Sequence, residues 1–381
     1  MYSVLIYDAN DVPAIAITRS LGKRGVEVHL ASEKKDAPAF FSKFCSEKHI
    51  VKGFEDAIGL MERHEFDVFI PLLSEREMLK LSKIKPKIER KTKVVCGSYK
   101  ALVKLINKRE FTQTAIDAEI PTPETLFPES DKDVEGFLKE NGEVLVKLSI
   151  SSGGQGVHMI ADIKEYLSLK EELGFSEKDI IIQRKINGKH VAVSILCRGP
   201  ADPIAIFTYE RIRYYPYPYG PATYIIPIRY ESCENYSMKL INELGYSGII
   251  NFDFIVDDRD GIPKILDANP RFWGAVGATM VAGIDFPWMV FNHALGRQVQ
   301  IDAEQCESIH LRSIIDDCKA VYSILRSSDS SAEDKLKHLF DFLNFPKYTE
   351  FMFSLKDPAP IVVEILRIVK RRVRSTSNEG A

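Results

Sequence analysis

The sequence predicts a mixed α/β protein, with a parallel-sheet unit first and antiparallel sheets after it. Three observations carry this. Between residue 1 and about 97, β-rich runs alternate with a helical period: Val4-Leu5-Ile6-Tyr7, Pro13 to Gly25, Val26 to Leu30, and later Asp67 to Leu72. Strand, helix and strand at that spacing imply parallel pairing, because a parallel neighbour needs a crossover. Further on, Val144 to Leu148 runs into a Ser/Gly stretch, which reads as a hairpin turn. A third run, Phe252 to Val256, meets Ile262 to Leu266 through Asp257-Asp258-Arg259-Asp260-Gly261. Apolar runs around a Gly-containing acidic turn read as an antiparallel hairpin.

Composition sets the outer limits. The 381 residues suffice for two or three domains with real cores. A formal net charge of -3 argues against a general nucleic-acid binder. No apolar run is long enough to span a bilayer, so no stable membrane insertion is expected. The opening MYSVLIYD lacks a basic stretch before its apolar run and reads as a first strand. Six cysteines are scattered without a C-x-x-C pair, which suits free thiols in a reducing cytoplasm.

The turn after the first strand is Asp8-Ala9-Asn10-Asp11, with no G-x-G-x-x-G, so a nicotinamide dinucleotide site is disfavoured. Lys104 to Ala118 has helical periodicity and ends at the breaker Ile120-Pro121-Thr122-Pro123. Lys147 then interrupts a core strand, and a buried lysine needs a partner. The loop beyond it holds Ser152, Gly153, Gly154, Gln155 and Gly156. Such a loop can turn successive backbone N–H groups toward an anion, and with Lys147 it suits a triphosphate. It is not a P-loop, since the lysine precedes the glycines. An ordinary Gly-rich hairpin is the plainer alternative, and Lys147 favours the phosphate reading over it.

Ile180 to Gln183 is a strand that runs into Arg184-Lys185-Ile186-Asn187-Gly188. Arg211 and Arg213 share one face of a later strand, where two guanidinium groups can grip a carboxylate or phosphate. An exposed cationic edge explains them equally well. The Tyr/Pro run that follows, Tyr214 to Tyr219, cannot be a central strand and reads as a stiff loop beside a substrate pocket. Ser237 to Leu244 and 275–296 are helical. Ser327 to Ser331 is a polar linker, and Ile361 to Val373 is a helix, apolar early and cationic late. Cations at a helix C-terminus are favourable without any anionic partner.

The acidic hairpin is the strongest site signal. Folding it about Asp260 sets Asp253 opposite Asp267, with Cβ atoms roughly 5 Å apart, where like charges repel. A cation between them reverses that sign. Asn269 points to the same face as Asp267. Two carboxylates and an amide oxygen are hard ligands suited to Mg²⁺. The turn acids Asp257, Asp258 and Asp260 read as merely solvated. Asp253 and Asp267 do not, because they interrupt apolar runs.

The pattern D-F-x-x-D, a turn, then D-x-N-P-R resembles the metal-binding hairpin of ATP-grasp ligases. There the second strand usually reads E-x-N-P-R; here Asp267 stands in place of the glutamate. The segment from Asn107 to Phe111 followed by I-P-T-P resembles the opening of that fold, with Lys108 at the phosphate-contacting position. Gln183 to Gly188 resembles the adenine hinge, often Q-E-x-x-x-G, with Arg184 where an acid is common. His190 stands where many members place the acid that binds the ribose. Arg211-x-Arg213-x-x-Pro216 and Gly220-x-x-Thr223 resemble a branch of carboxylate–amine ligases. The resemblance covers residues 1 to about 300.

It implies a Rossmann-like pre-ATP-grasp domain at 1–97 that helps bind the second substrate. An ATP-grasp domain at 98–302 would follow, its nucleotide cleft between 98–182 and 183–302, and then a helical C-terminal extension at 303–381. It implies ATP and Mg²⁺ (or Mn²⁺), small-molecule carboxylate and amine substrates, and is compatible with a homodimer. Lys108, Lys147 and the glycine-rich loop would hold phosphates, and Gln183, Arg184, Lys185, Ile186 and His190 the nucleoside. Asp253, Asp267 and Asn269 would hold the metal. Arg211 and Arg213 would bind substrate, and Arg271, beside the metals, would stabilise an acyl phosphate. Two alternatives stay open: carboxylation through carboxyphosphate, and a nucleotide-binding regulator without turnover. ATP rather than GTP rests on the resemblance alone.

Overall fold

In a computed structural model the chain is described at residues 1–151, 154, 156–217, 220–299, 306–307, 309–327, 330–344 and 347–378, with side chains as far as 370. The expected loop residues Ser152, Gly153 and Gln155 lie outside the described residues.

The first five strands form a parallel sheet: β1 (Ser3–Tyr7), β2 (Glu27–Ser32), β3 (Glu47–Ile50), β4 (Val68–Pro71) and β5 (Lys93–Val94), in the order β3-β2-β1-β4-β5. The central β1 is apolar on both faces because helices cover both. Between the strands run α1 (Val12–Gly22), α2 (Phe54–Arg63) and α3 (Glu75–Ile88). Local chemistry sets where they start. Asp11 caps α1 with a proline inside its first turn, and Ser74 and Glu77 form a capping box on α3. The strand order turns back at β1 and β4, so a crevice opens beyond their C-terminal ends.

Lys104 to Ala118 is two helices, α4 (Tyr99–Ile106) and α5 (Lys108–Asp117). Asn107 breaks the run because its side chain accepts hydrogen bonds from the amides of Arg109 and Glu110 and so caps a new helix. Lys108 thereby becomes the first residue of α5, and its amide donates to Ser149.

A second sheet is antiparallel: β6 (Thr125–Leu126), β7 (Val144–Leu148), β8 (Val157–Ile160) and β9 (Ile180–Arg184), in the order β6-β9-β7-β8. Helices α6 (Asp131–Asn141) and α7 (Ile163–Leu173) cover it over a core that includes Val134, Val144, Tyr166 and Ile182. Lys147 pairs with Val157 across the β7–β8 turn, where Gly154 takes φ +78°, a conformation that favours glycine.

The largest sheet holds β10 (Gly188–Gly199), β11 (Asp202–Tyr214), β12 (Ala222–Pro227), β13 (Gly248–Asp257), β14 (Pro263–Asn269), β15 (His310–Arg312) and β16 (Tyr348–Glu350). Their order is β14-β13-β10-β11-β12-β15-β16. Helix α8 (Glu231–Leu244) links β12 to β13. The helical stretch at 275–296 is two pieces, α9 (Val276–Val281) and α10 (Phe286–Ala294), separated at Gly283, whose φ is +99°.

Beyond residue 303 the chain is mainly helical, with α11 (Ile314–Arg326), α12 (Ala332–Leu343) and α13 (Ala359–Asn378), yet it also adds β15 and β16 to the sheet. It is tied back to α1 as well: buried Arg19 donates from Nε to Asp357 at 2.8 Å, and Ser42 donates to the same carboxylate at 2.9 Å. Among the described residues no helix is long and apolar enough to cross a membrane.

Candidate active site

A cavity of about 480 Å³ lies between the second and third sheets. That volume is within the usual range for a small-molecule site. Lys108, Lys147, Gly154, Gln183, Arg184, Lys185, Ile186, His190, Arg211, Asp253 and Asp267 all line it. They come from seven helices and strands and the loops beside them, and span 160 residues of sequence, so the fold alone brings them together.

The acidic hairpin has the anticipated register. Asp253 pairs with Asp267 and Asn251 with Asn269, and a bulge follows Asp253. Burial pushes the Asp253 carboxyl above its ordinary range; Arg211 opposes this and Asp267 adds to it. Arg211 Nη1 is 3.2 Å from Asp253 Oδ1. Asn269 donates from Nδ2 to Asp253 Oδ2 at 3.2 Å, so its amide oxygen faces Arg271 instead. Asp257 is not solvated as expected: it is buried at the hairpin end and held by Lys264 at 2.9 Å and by Arg259.

The two lysines stand opposite the acids. Lys108 is buried, 3.7 Å from Asp267 Oδ2, and donates to the carbonyl of Ser151 at 2.7 Å. Lys147 is buried too. Burial pushes its ammonium down to about 8; the Asp267 and Asp253 carboxylates resist the shift, and Lys108 adds to it. A lysine so poised gains most from an additional anion.

At the hinge, the charged side chains turn away. Arg184 Nη1 lies 3.4 Å from Glu124 and Lys185 Nζ lies 2.8 Å from Glu143. Gln183 donates from Nε2 to Thr125 at 3.0 Å, while its buried Oε1 has no hydrogen-bond partner among the described residues. Burial, with Arg211 and Lys147 nearby, pushes His190 down to about 4, so its imidazole is neutral at pH 7. Leu145 and Met159, paired across β7 and β8, and Ile255 and Leu266 on the hairpin, supply apolar walls suited to a flat ring. Sequence reading missed these four, because an apolar strand residue looks the same whether it faces a core or a cleft.

Two expectations are corrected. Arg213 does not share the cleft with Arg211. The β11–β12 register shifts on both sides of Arg213, and such a bulge breaks the alternation that would put both guanidinium groups on one face. Arg213 is fully buried instead. It donates to both oxygens of Asp317 at 2.7 Å and to Asp341 at 2.7 Å. Arg271 does not continue the strand alternation of Asp267 and Asn269, because β14 ends at Asn269 and Pro270 follows. It lines an adjoining cavity of about 640 Å³ at the C-terminal ends of β1 and β4, with Tyr7, Asp8 and Glu75. Its Nη2 is 3.5 Å from Glu75 Oε1 and 3.5 Å from Asn269 Oδ1, one link from Asp253.

Three sheets in this order, with a cleft lined by lysines on one side and paired acids on the other, are the arrangement of the ATP-grasp fold, and comparison with known proteins finds the same fold. Residues 226–316, which contain the acidic hairpin, match the family model described as ATP-grasp in the biosynthetic pathway with Ter operon. D-alanine–D-alanine ligase B of Clostridium tetani is 26% identical over 187 residues, covering 41% of this chain and 51% of that enzyme. The chain thus spans about half the length of that relative.

Solved structures are similar in fold. An ADP complex of N5-carboxyaminoimidazole ribonucleotide synthetase superposes with a TM-score of 0.67 at 13% identity, over 91% of this chain and 96% of that one. The Staphylococcus aureus N5-carboxyaminoimidazole synthetase gives 0.64 at 15% identity, over 82% of each. The biotin carboxylase domain of Hydrogenobacter thermophilus 2-oxoglutarate carboxylase, solved with MgADP and bicarbonate, gives 0.63 at 17% identity, over 80% of this chain and 71% of that one.

Proposed function

We propose that this chain is an ATP-dependent ligase that joins a carboxylate to an amine through an acyl phosphate, releasing ADP and phosphate. The observation that carries the reading is the cleft in which Lys108 and Lys147 face the paired Asp253 and Asp267. On this reading the two lysines and the backbone around Gly154 and Gly156 hold the phosphates. Gln183 to Ile186 meet the purine, the neutral His190 meets the ribose, and Leu145, Met159 and Leu266 enclose the base.

The donor set fits Mg²⁺ (or Mn²⁺). Asp253 and Asp267 are hard oxygen ligands in directly paired positions, a repulsive arrangement that a divalent ion relieves. Asn269 joins them once its amide is turned. When bound, the ion supplies neutralisation of the phosphate charge. The rest is positioning and electrostatics by the chain. The substrate carboxylate oxygen attacks the γ-phosphorus and ADP leaves. The amine then attacks the acyl carbon, phosphate leaves, and the amine nitrogen gives up its proton. Arg211, hydrogen-bonded to Asp253 and to the carbonyl of Gly220, is placed to hold the carboxylate. The amine comes from the adjoining cavity, where Asp8, Glu33, Glu75 and Glu77 favour a cation.

The test is an ADP-release screen over pairs of amino acids, peptides and small carboxylates, followed by heavy-oxygen labelling of the active carboxylate. Label appearing in phosphate supports the acyl phosphate. Release that depends on bicarbonate alone assigns carboxylation instead. Nucleotide binding without release under any pair assigns a regulator.

Two expected results follow from the cleft. Replacing Arg211 with Gln raises KM for the carboxylate and leaves that for ATP nearly unchanged, since uniform binding lost from one substrate appears in its KM. An equal loss for both substrates counts against this placement.

Lys147 sets a pH dependence. Its ammonium titrates at about 8 in the folded protein, below the ordinary lysine range, so the unfolded chain binds more protons from there upward. Stability of the nucleotide-free protein therefore rises with pH through that window. Nucleotide binding, which needs the charged form, weakens by up to about tenfold per pH unit above it. Lys147→Met removes both trends, loses nucleotide-induced thermal stabilisation and leaves the nucleotide-free protein folded. Calorimetry at several pH values checks this; an unchanged ATP affinity in the variant removes the phosphate role.

A further inference from the structure

A second cluster of chemically capable side chains lies on the N-terminal sheet, away from both cavities. The strand β3 is the edge of that sheet and runs parallel to β2, with His29 opposite Glu47 and Ala31 opposite His49. Glu47 and His49 are two residues apart on one strand, so they share a face, and His29 shares it with them. The contacts bear this out. His29 Nδ1 is 3.2 Å from His49 Nε2 and 3.4 Å from Glu47 Oε2. Both imidazoles are nearly buried, with side-chain exposures of 12% and 9%, while Glu47 is 56% exposed and keeps one side of the group open.

We propose that His29, Glu47 and His49 form a binding site for a tetrahedral, imidazole-favouring divalent ion such as zinc. Zinc is bound by nitrogen and oxygen at about 2.0–2.1 Å, which places tetrahedral ligand atoms about 3.3–3.4 Å from one another. The two contacts made by His29 Nδ1 already have that length. Ligand atoms of all three residues lie within 4.8 Å of one another, so closing the set needs only a rotation of the exposed Glu47. The outer contacts are also those of a metal-bound imidazole. His29 Nε2 lies 3.4 Å from Glu27 Oε1, a carboxylate placed to fix the tautomer that leaves Nδ1 free to coordinate. Phe66 packs edge-on against His29 at 5.0 Å between ring centres, and the His64 ring lies tilted against His49 at 5.8 Å, so the rings have little room to turn.

The donor set also says what the site does not take. Imidazole nitrogens suit zinc, copper or nickel, whereas Mg²⁺ prefers oxygen. The ion proposed for the ligase cleft is therefore a poor occupant here. None of the three residues lines the nucleotide cleft, so the consequence is structural: the ion staples a four-residue edge strand to its neighbour. An ion that binds only the folded state raises stability by mass action.

The full chain, stripped with a chelator, is titrated with Zn²⁺ by calorimetry without nucleotide, and its melting temperature is followed with Zn²⁺ and with Mg²⁺. The expected result is one Zn²⁺ per chain and a rise in melting temperature that Mg²⁺ does not reproduce. His49→Gln and Glu47→Gln each lose the response, and Asp267→Asn keeps it. Glu47 is exposed, so its variant remains folded even if the buried histidine is needed for folding. Cobalt substitution adds a signature, because only a tetrahedral site gives intense visible absorption. No stoichiometric binding overturns the proposal, and so does a response that survives Glu47→Gln or disappears with Asp267→Asn.

Discussion

Arg213→Met lowers the free energy of unfolding by about 3 kcal/mol, while the folded fraction binds nucleotide as before. The size comes from what is left behind. Arg213 and Asp317 have no exposed side-chain surface, and two 2.7 Å hydrogen bonds join them. Removing one member of such a pair leaves a buried charge without compensation. Thr223 still donates to Asp317 at 3.1 Å and Arg312 lies 3.9 Å away, so the loss falls at the low end of the usual range. Asp341 keeps Lys347 at 3.1 Å. A double variant, Arg213→Met with Asp317→Leu, recovers much of the stability, because an apolar pair of similar volume replaces a buried ion pair at little cost. Denaturant unfolding of both variants measures this. A single variant as stable as the parent, or one whose main defect is a raised KM for the carboxylate, would return Arg213 to the substrate site.

That pair also shows where the sequence was opaque. Strand alternation puts Arg211 and Arg213 on one face, and no turn residue between them announces the bulge. The bulge is visible only in the pairing with β12. By contrast, the register of the acidic hairpin was legible, because a short loop ties its strands and symmetric folding opposes Asp253 and Asp267. Lys147 was legible for a different reason: a charge on an apolar strand has to be compensated. The helix break at Asn107 hides in a continuous apolar period, although its capping residue is readable in hindsight. The zinc-type cluster needs the parallel register of β2 and β3, which joins residues about twenty apart through a crossover. Nothing in either strand alone predicts that pairing. The parallel-then-antiparallel fold class was readable throughout, since it depends on hydrophobic period and connection length rather than on single contacts.

Arg271→Ala is expected to lower kcat by about 10²–10³ while leaving Mg·ATP affinity nearly intact. The residue does not line the nucleotide cleft, so ground-state binding of ATP does not depend on it. It lines the cavity at the C-terminal ends of β1 and β4, joined to Asn269 on one side and Glu75 on the other. On the proposed reaction, the activated acyl group meets an amine drawn from that acidic cavity. The guanidinium cannot act as a base, since it stays charged. On the proposed reaction it faces negative charge that grows during transfer, so its loss is expected to appear in kcat. Arg271→Lys restores only part, because a point charge lacks the planar fork. A structural tie between the hairpin and the first turn of α3 is the competing account, and Glu75→Gln separates the two. If Arg271 only anchors the hairpin, Glu75→Gln reproduces its loss, with a falling melting temperature and kcat per folded molecule preserved. If Arg271 acts on the reacting anion, freeing it from Glu75 leaves kcat within a few-fold of the parent, and only the Arg271 variants lose turnover. The ion pair is partly exposed and worth about 0–1 kcal/mol, so neither substitution moves the melting temperature far on the catalytic account.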